Sequence, residues 1–204
     1  MKDRVLVGSC KGVLRVLFRI LFRIDYRGLE NIPAAGPALI IPNHQSYLDP
    51  LFVGAAVRRS VRYMAMKKLF RWSGVSSFLR FYGAFPVNLR RADKDAIKAC
   101  LKFLRGGEAV IIFPEGGRAR DGKLMDFYQG FARIALLQQV PIVPVTIAGA
   151  HQVWSPAHRF PRFRKVSVTF HPPIYPSDFE MADRTHALHI VDQVKQTIES
   201  ALEI

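Results

Sequence analysis

His44 and Asp49 lie five positions apart in the stretch Asn43-His44-Gln45-Ser46-Tyr47-Leu48-Asp49-Pro50, directly after the apolar run Ala38-Leu39-Ile40-Ile41-Pro42. If the backbone turns into a helix there, imidazole and carboxylate fold toward each other. A carboxylate on one ring nitrogen fixes the tautomer so that the other can take a proton, and histidine titrates nearest neutrality. The chemistry of this spacing is general-base activation of a hydroxyl, with no obligatory nucleophile beside it. The same two residue types also serve as a helix-start cap or a surface pair. The distinction therefore rests on what surrounds them.

A second stretch, Pro114-Glu115-Gly116-Gly117-Arg118-Ala119-Arg120, follows the clearest buried strand, Ala109-Val110-Ile111-Ile112-Phe113. Glycine at such a turn lets backbone approach a ligand closely, and a fixed guanidinium can grip a phosphate through two hydrogen bonds. An oriented histidine beside a phosphate grip points to a phosphorylated alcohol as the reacting group.

These loops need elements to position them. The chain is 204 residues long and 50% hydrophobic, enough for one domain with a substantial core. Strand-like runs at 38–42, 61–66, 109–113, 140–147 and 166–170 alternate with helical spacing at 51–57, 92–105, 129–139 and 183–203. A short strand precedes Gly28, and two short amphipathic pieces flank Gly74. The alternation predicts an α/β fold, a single domain with a largely parallel central sheet flanked by helices. The carboxyl ends of such strands are where loops gather to form sites, and both distinctive loops leave such ends.

The net charge of +14 calls for an anionic partner: nucleic acid, an acidic lipid surface or a phosphorylated substrate. Cys10 and Cys100 match no disulfide or metal framework. In residues 4–24, Arg4, Lys11, Arg15, Arg19 and Arg23 fall within an arc of roughly 120° of a helix, and the rest of the circumference is greasy. Cations at every fourth position argue against a spanning helix or a cleaved leader and for an amphipathic helix at a membrane interface. Residues 1–24 are thus expected to be a membrane-associating helix, with Arg15, Phe18, Arg19, Phe22 and Arg23 touching lipid, and residues 25–204 the remaining domain. The alternative is a basic helix packed on the domain's own core. The basic-aromatic loop from Trp154 to Lys165 suits phosphate contact.

Four ordered blocks now stand out: Asn43-His44-Gln45-Ser46 with Asp49; Gly83-Ala84-Phe85-Pro86-Val87 with arginines after it; Phe113-Pro114-Glu115-Gly116-Gly117-Arg118; and Val140-Pro141-Ile142-Val143-Pro144-Val145. Together they resemble the glycerolipid acyltransferase family, which includes lysophosphatidic acid and glycerol-3-phosphate acyltransferases. The resemblance implies that His44 is the base that deprotonates the acceptor hydroxyl and that Asp49 orients it. It further implies attack of the alkoxide on an acyl thioester without an acyl-enzyme, and needs no metal or other cofactor beyond acyl-CoA or acyl carrier protein as donor. Arg90 or Arg91, with Glu115, Gly116 and Arg118, would bind the acceptor's glycerol phosphate, and Pro144 lies in the block associated with the acyl donor. Two departures from the family pattern matter. Gly117 stands where threonine is common, and Asn88-Leu89 displaces the arginine pair of the second block.

The implied activity is transfer of a fatty acyl group to lysophosphatidic acid, giving phosphatidic acid in phospholipid biosynthesis. The enzyme would sit peripherally or monotopically on the cytoplasmic face of the inner membrane, with an anionic phospholipid membrane and a lysophospholipid acceptor as partners. Gly117 keeps another lysolipid acceptor open, such as a lyso-ornithine lipid or a lysophospholipid in remodelling. From a different class, a non-catalytic lipid-surface binding protein would keep the fold without the chemistry. Nucleic acid is not an expected partner, because the cations are interleaved with membrane-seeking side chains and no nucleic-acid module is present. A serine hydrolase lacks its Gly-x-Ser-x-Gly elbow.

Overall fold

A computed structural model of the chain describes residues 2–88, 93–178 and 184–202. Fourteen named elements follow in chain order. They begin with helix α1 (Lys2–Phe22), strand β1 (Asp25–Arg27), strand β2 (Ala38–Pro42) and helix α2 (Asp49–Ala56). Strand β3 (Val61–Met66), helix α3 (Ser73–Phe81), strand β4 (Ala84–Val87), helix α4 (Lys94–Arg105) and strand β5 (Ala109–Ile111) come next. Helix α5 (Gly130–Gln138), strand β6 (Ile142–Ala148), helix α6 (His151–Trp154), strand β7 (Ser167–Phe170) and helix α7 (Arg184–Leu202) complete the set.

The strands form one seven-stranded sheet in the order β1-β7-β6-β2-β5-β3-β4. Five adjacent strands, β6, β2, β5, β3 and β4, run parallel, and β7 pairs antiparallel to β6 while β1 lies parallel to β7. This is the predicted α/β architecture. Parallel strands covered on both faces read as continuous apolar runs, and every residue of β2 is buried.

Successive side chains of a strand point to opposite faces, so β2 divides its residues between two cores. Ala38 and Ile40 join Phe18, Phe22, Phe52 and Val168 on the face covered by α1, α2 and α6. Leu39 and Ile41 join Cys100, Phe131 and Ile190 on the face covered by α4, α5 and α7. Cys100 is accordingly a core residue, its thiol pushed up to about 12 by burial.

The N-terminal helix corrects an expectation. Phe18 and Phe22 are only 4% exposed and pack edge-on against Phe52, so they belong to the core rather than to a lipid face. The basic stripe also turns inward over half its length. Buried Lys11 donates to the carbonyls of Val57 and Arg59, and Arg15 donates to those of Ala55 and Ala56. Residues 1–24 and the remainder therefore share one core through Phe18, Phe22 and Ile24. Of the five expected lipid contacts, Arg19 and Arg23 are exposed. The outward stripe is instead Leu6, Val13, Val16, Leu17 and Ile20. Among the described residues no helix is long and apolar enough to cross a membrane.

Candidate active site

The site forms where β2, β5 and β6, neighbours in the sheet, end on the same edge. At the end of β2 the ladder is continued by a side chain. The Asn43 amide donates to Ile147 O at 3.0 Å and accepts from Ile147 N at 2.7 Å, occupying both hydrogen-bonding groups of a β6 residue. The chain is thereby held to the sheet edge up to the point where His44 departs.

From there the turn is organised by one carboxylate. Asp49, fully buried as the first residue of α2, takes three hydrogen bonds on Oδ2: from the Gln45 and Ser46 amides, each at 2.6 Å, and from His44 Nδ1 at 2.9 Å. Because a carboxylate accepts, Nδ1 carries the proton and Nε2 of the neutral ring is the bare acceptor. Phe113 stacks on the imidazole at 4.0 Å between centroids and fixes its plane. Nε2 has no protein partner among the described residues, so the basic nitrogen is left for a ligand. Burial holds the imidazole below its ordinary value of 6.5, opposed by the Asp49 hydrogen bond and charge and assisted by Arg118. The ring is consequently neutral and competent as a base at physiological pH. Asp49 Oδ1, buried without a hydrogen-bond partner among the described residues, has the Arg118 charge as its longer-range counterpart.

Glu115 corrects the second expectation. Its carboxylate is buried, and both oxygens are occupied within the protein: Oε1 accepts from His44 N at 2.6 Å and Oε2 from Met125 N at 3.0 Å. It braces the backbone of the base instead of presenting itself to an acceptor. Burial pushes it up to about 7 against the pull of those two amides. Gly116, at φ +65°, makes the turn that brings Glu115 round, and a Cβ there would meet the Tyr128 ring at 2.9 Å.

Arg118 does lie beside the base. Its Nε donates to Ser46 O at 3.2 Å and its guanidinium sits 4.2 Å over the Tyr47 ring, leaving the two terminal nitrogens without a partner among the described residues. Tyr47 N and Ser46 Oγ both donate to Trp154 O, which ties the catalytic turn to α6. Gln45 Nε2 donates to Gly122 O and holds the loop beyond Arg118. These supports, with Asn43 and Phe113, were not assigned roles from the sequence. For Asn43, Gln45 and Ser46 the signal was the polar block after a buried strand.

Pro144 is a buried residue inside β6, paired with Ile41, and its carbonyl accepts from His171 N. It is an interior residue of the sheet. Arg90 and Arg91 lie outside the described residues. The stretch leading to them, β4, ends at Val87 on the far edge of the sheet.

Comparison with known proteins follows this geometry. The profile of the acyltransferase family matches residues 23–148, which include His44, Asp49, Glu115, Arg118 and Pro144. The 1-acyl-sn-glycerol-3-phosphate acyltransferase of Bacillus subtilis (strain 168) is 30% identical over 141 residues, 69% of this chain and 70% of that protein. The chloroplastic 1-acyl-sn-glycerol-3-phosphate acyltransferase BAT2 of Brassica napus is 29% identical over 164 residues, covering 78% of this chain. The chain spans 47% of that plant relative, about half its length. The crystal structure of the 1-acyl-sn-glycerophosphate (LPA) acyltransferase PlsC from Thermotoga maritima superposes with a TM-score of 0.84 at 25% identity, over 98% of this chain and 80% of that one.

Proposed function

The chain belongs to the acyltransferase family, and on that premise we propose that it is a membrane-associated O-acyltransferase that moves a fatty acyl group from acyl-CoA or acyl carrier protein to the hydroxyl of lysophosphatidic acid, forming phosphatidic acid. The observation that carries this reading is His44: buried, locked by Asp49 on Nδ1, and open on Nε2 beside the partly unpartnered guanidinium of Arg118.

Nε2 of His44 takes the proton of the acceptor hydroxyl as its oxygen attacks the thioester carbonyl carbon. Asp49, hydrogen-bonded to Nδ1, stabilises the imidazolium that forms. The tetrahedral intermediate collapses with cleavage of the C–S bond, and the imidazolium returns its proton to the departing thiolate. Glu115 keeps the backbone of His44 in place during both transfers. Arg118 supplies positive charge for the acceptor phosphate through its two terminal nitrogens. Among the proposed partners are the anionic phospholipid membrane that holds the acceptor and the acyl-CoA or acyl carrier protein that brings the acyl chain, with attachment at the cytoplasmic face of the inner membrane.

A second acceptor class has its own support at position 117. A Cβ built on Gly117 meets no atom within 4 Å, and the glycine brings no hydroxyl to this point of the loop. A lysolipid with a different headgroup, such as a lyso-ornithine lipid, fits a site that lacks that hydroxyl contact. Transfer from labelled acyl-CoA and from acyl carrier protein to a panel of lysolipids, in detergent, tests both readings. Product with lysophosphatidic acid that disappears in His44→Ala is the expected result. Product with another lysolipid alone moves the assignment to that acceptor. No product from folded protein with any pair overturns the catalytic reading in favour of a lipid-surface binding protein.

A further inference from the structure

The loop after α6 exposes aromatic rings and cations together. Residues 159–165, Arg159-Phe160-Pro161-Arg162-Phe163-Arg164-Lys165, are all exposed, with Phe160 at 68% and Phe163 at 65%. Two aromatic rings in open solvent cost free energy that folding alone does not return. Yet the loop is anchored at both sides: Arg162 N donates to Val153 O of α6, and Val166 N donates to Phe22 O at the end of α1. Phe163 also lies 5.9 Å from the Phe22 ring. The loop therefore meets the C-terminal end of α1, whose outward stripe also exposes apolar side chains. Val13 is 67% exposed, Val16 59%, Leu17 42% and Ile20 71%, at the spacing of one helical face.

We propose that this loop and the outward stripe of α1 form one composite surface that docks on an anionic lipid bilayer. Phe160, Phe163 and Ile20 enter the acyl boundary, while Arg19, Arg23, Arg159, Arg162, Arg164 and Lys165 lie at the level of the lipid phosphates. The inference rests on the lipid-enzyme reading above and names the second contact that positions its site. Charge complementarity selects the occupant. Neither residues 4–24 nor residues 154–165 contain a single acidic side chain, so the apolar groups are framed by cations alone. An acidic protein would match the cations but leave the aliphatic stripe of α1 uncovered, and a nucleotide is too small to span both parts. The placement also serves the chemistry. Trp154, at the root of the loop, holds the catalytic turn through its carbonyl and lies 5.4 Å from the Tyr47 ring. Docking by this surface sets the mouth of the site against the layer in which a lysolipid resides.

The test uses the full chain and flotation with vesicles of phosphatidylcholine alone or mixed with phosphatidylglycerol. Neither Phe160 nor Ile20 touches the catalytic residues. Wild type is expected to bind the mixed vesicles in a salt-sensitive manner, and Phe160→Ser with Ile20→Ser to weaken that binding about ten-fold or more. Arg162→Gln with Arg164→Gln is expected to reduce binding to the mixed vesicles and leave the weak phosphatidylcholine binding unchanged. Transfer to an acceptor embedded in vesicles falls in parallel for both double variants, and transfer in detergent micelles stays at the wild-type rate. Wild-type vesicle binding by both folded variants overturns the proposal and leaves the acyltransferase reading intact. Retained vesicle binding with selective loss of transfer from acyl carrier protein also overturns it, assigning the surface to an acidic protein. Binding lost as expected from a protein inactive in detergent sustains the docking surface and overturns the catalytic reading instead.

Discussion

The two ends of α2 are held by opposite charges for different purposes. At its N-terminus the Asp49 carboxylate gathers two backbone amides and the imidazole of His44. At and just beyond its C-terminus the carbonyls of Ala55, Ala56, Val57 and Arg59 receive Lys11 and Arg15 from α1. Both arrangements complement the helix dipole and both satisfy backbone groups. The difference is what each leaves over. The acidic end leaves one ring nitrogen unengaged, which is a catalytic group; the basic end leaves little, because Lys11 is buried and its ammonium already faces two carbonyls. A charged residue thus reads as functional by what remains unpartnered after the fold has used it.

The largest effect should come from emptying the acidic end. His44→Ala is expected to lower kcat by roughly 10²- to 10⁴-fold in protein that remains folded, and Asp49→Asn to approach it by leaving the tautomer unfixed. Steady-state transfer assays with thermal unfolding of the same samples check this; a His44→Ala enzyme at wild-type rate would remove the base. Glu115→Gln comes next. Each Glu115 oxygen accepts from an N–H, so an amide nitrogen must oppose one of them, at about 1–3 kcal/mol in stability. Its kcat should fall while KM for the acceptor holds, separating a brace from a substrate contact.

Breaking the basic end should have the reverse signature. Lys11→Met or Arg15→Met leaves helix-end carbonyls unsatisfied and should cost about 1–3 kcal/mol in denaturant unfolding, with kcat in detergent near that of wild type. A loss of kcat as deep as that of His44→Ala, in folded protein, would show that the two ends are not separable.

Titration sharpens the contrast more gently. Burial lowers His44, so the acid limb of kcat/KM should lie below 6.5; the same shift makes stability fall as pH drops below 6.5, since the unfolded chain binds the proton first. Lys11 is lowered from 10.5 to about 8 by burial and then by Arg15. Its contribution should therefore raise stability between about pH 8 and 10.5, a rise that Lys11→Met removes. The smallest effect is expected of Gly117→Thr, where a Cβ meets no atom within 4 Å; it should shift acceptor preference with little change in melting temperature.

Much of this was legible in the residues. The central strands, the parallel sheet and the His44–Asp49 pair follow from apolar runs ended by polar turns, a pattern local enough to read along the chain. The pairing of β1 with β7, antiparallel to β6, and the short strand β4 were not, because strand order rests on long-range contacts and a four-residue strand carries little periodic signal. α6 is a single turn, too short to carry a periodic signal. Glu115 was read as an acceptor contact and Pro144 as part of the acyl-donor block; in the structure both are buried, Glu115 on the amides of His44 and Met125 and Pro144 inside β6.

The sequence by itself determined which residues share a helix face, which runs are buried on both sides, and that a base and an orienting carboxylate stand together at a strand end. Only the tertiary structure decided which way each face turns. The N-terminal helix carries cations on one side and aliphatics on another, and periodicity is indifferent to which side meets the core. The choice fell to the C-terminal carbonyls of α2, some forty residues away, which pull Lys11 and Arg15 inward and leave Val13, Val16 and Ile20 outside. Glu115 was settled in the same manner by the His44 amide, 71 residues distant, since a buried carboxylate goes where N–H groups await it.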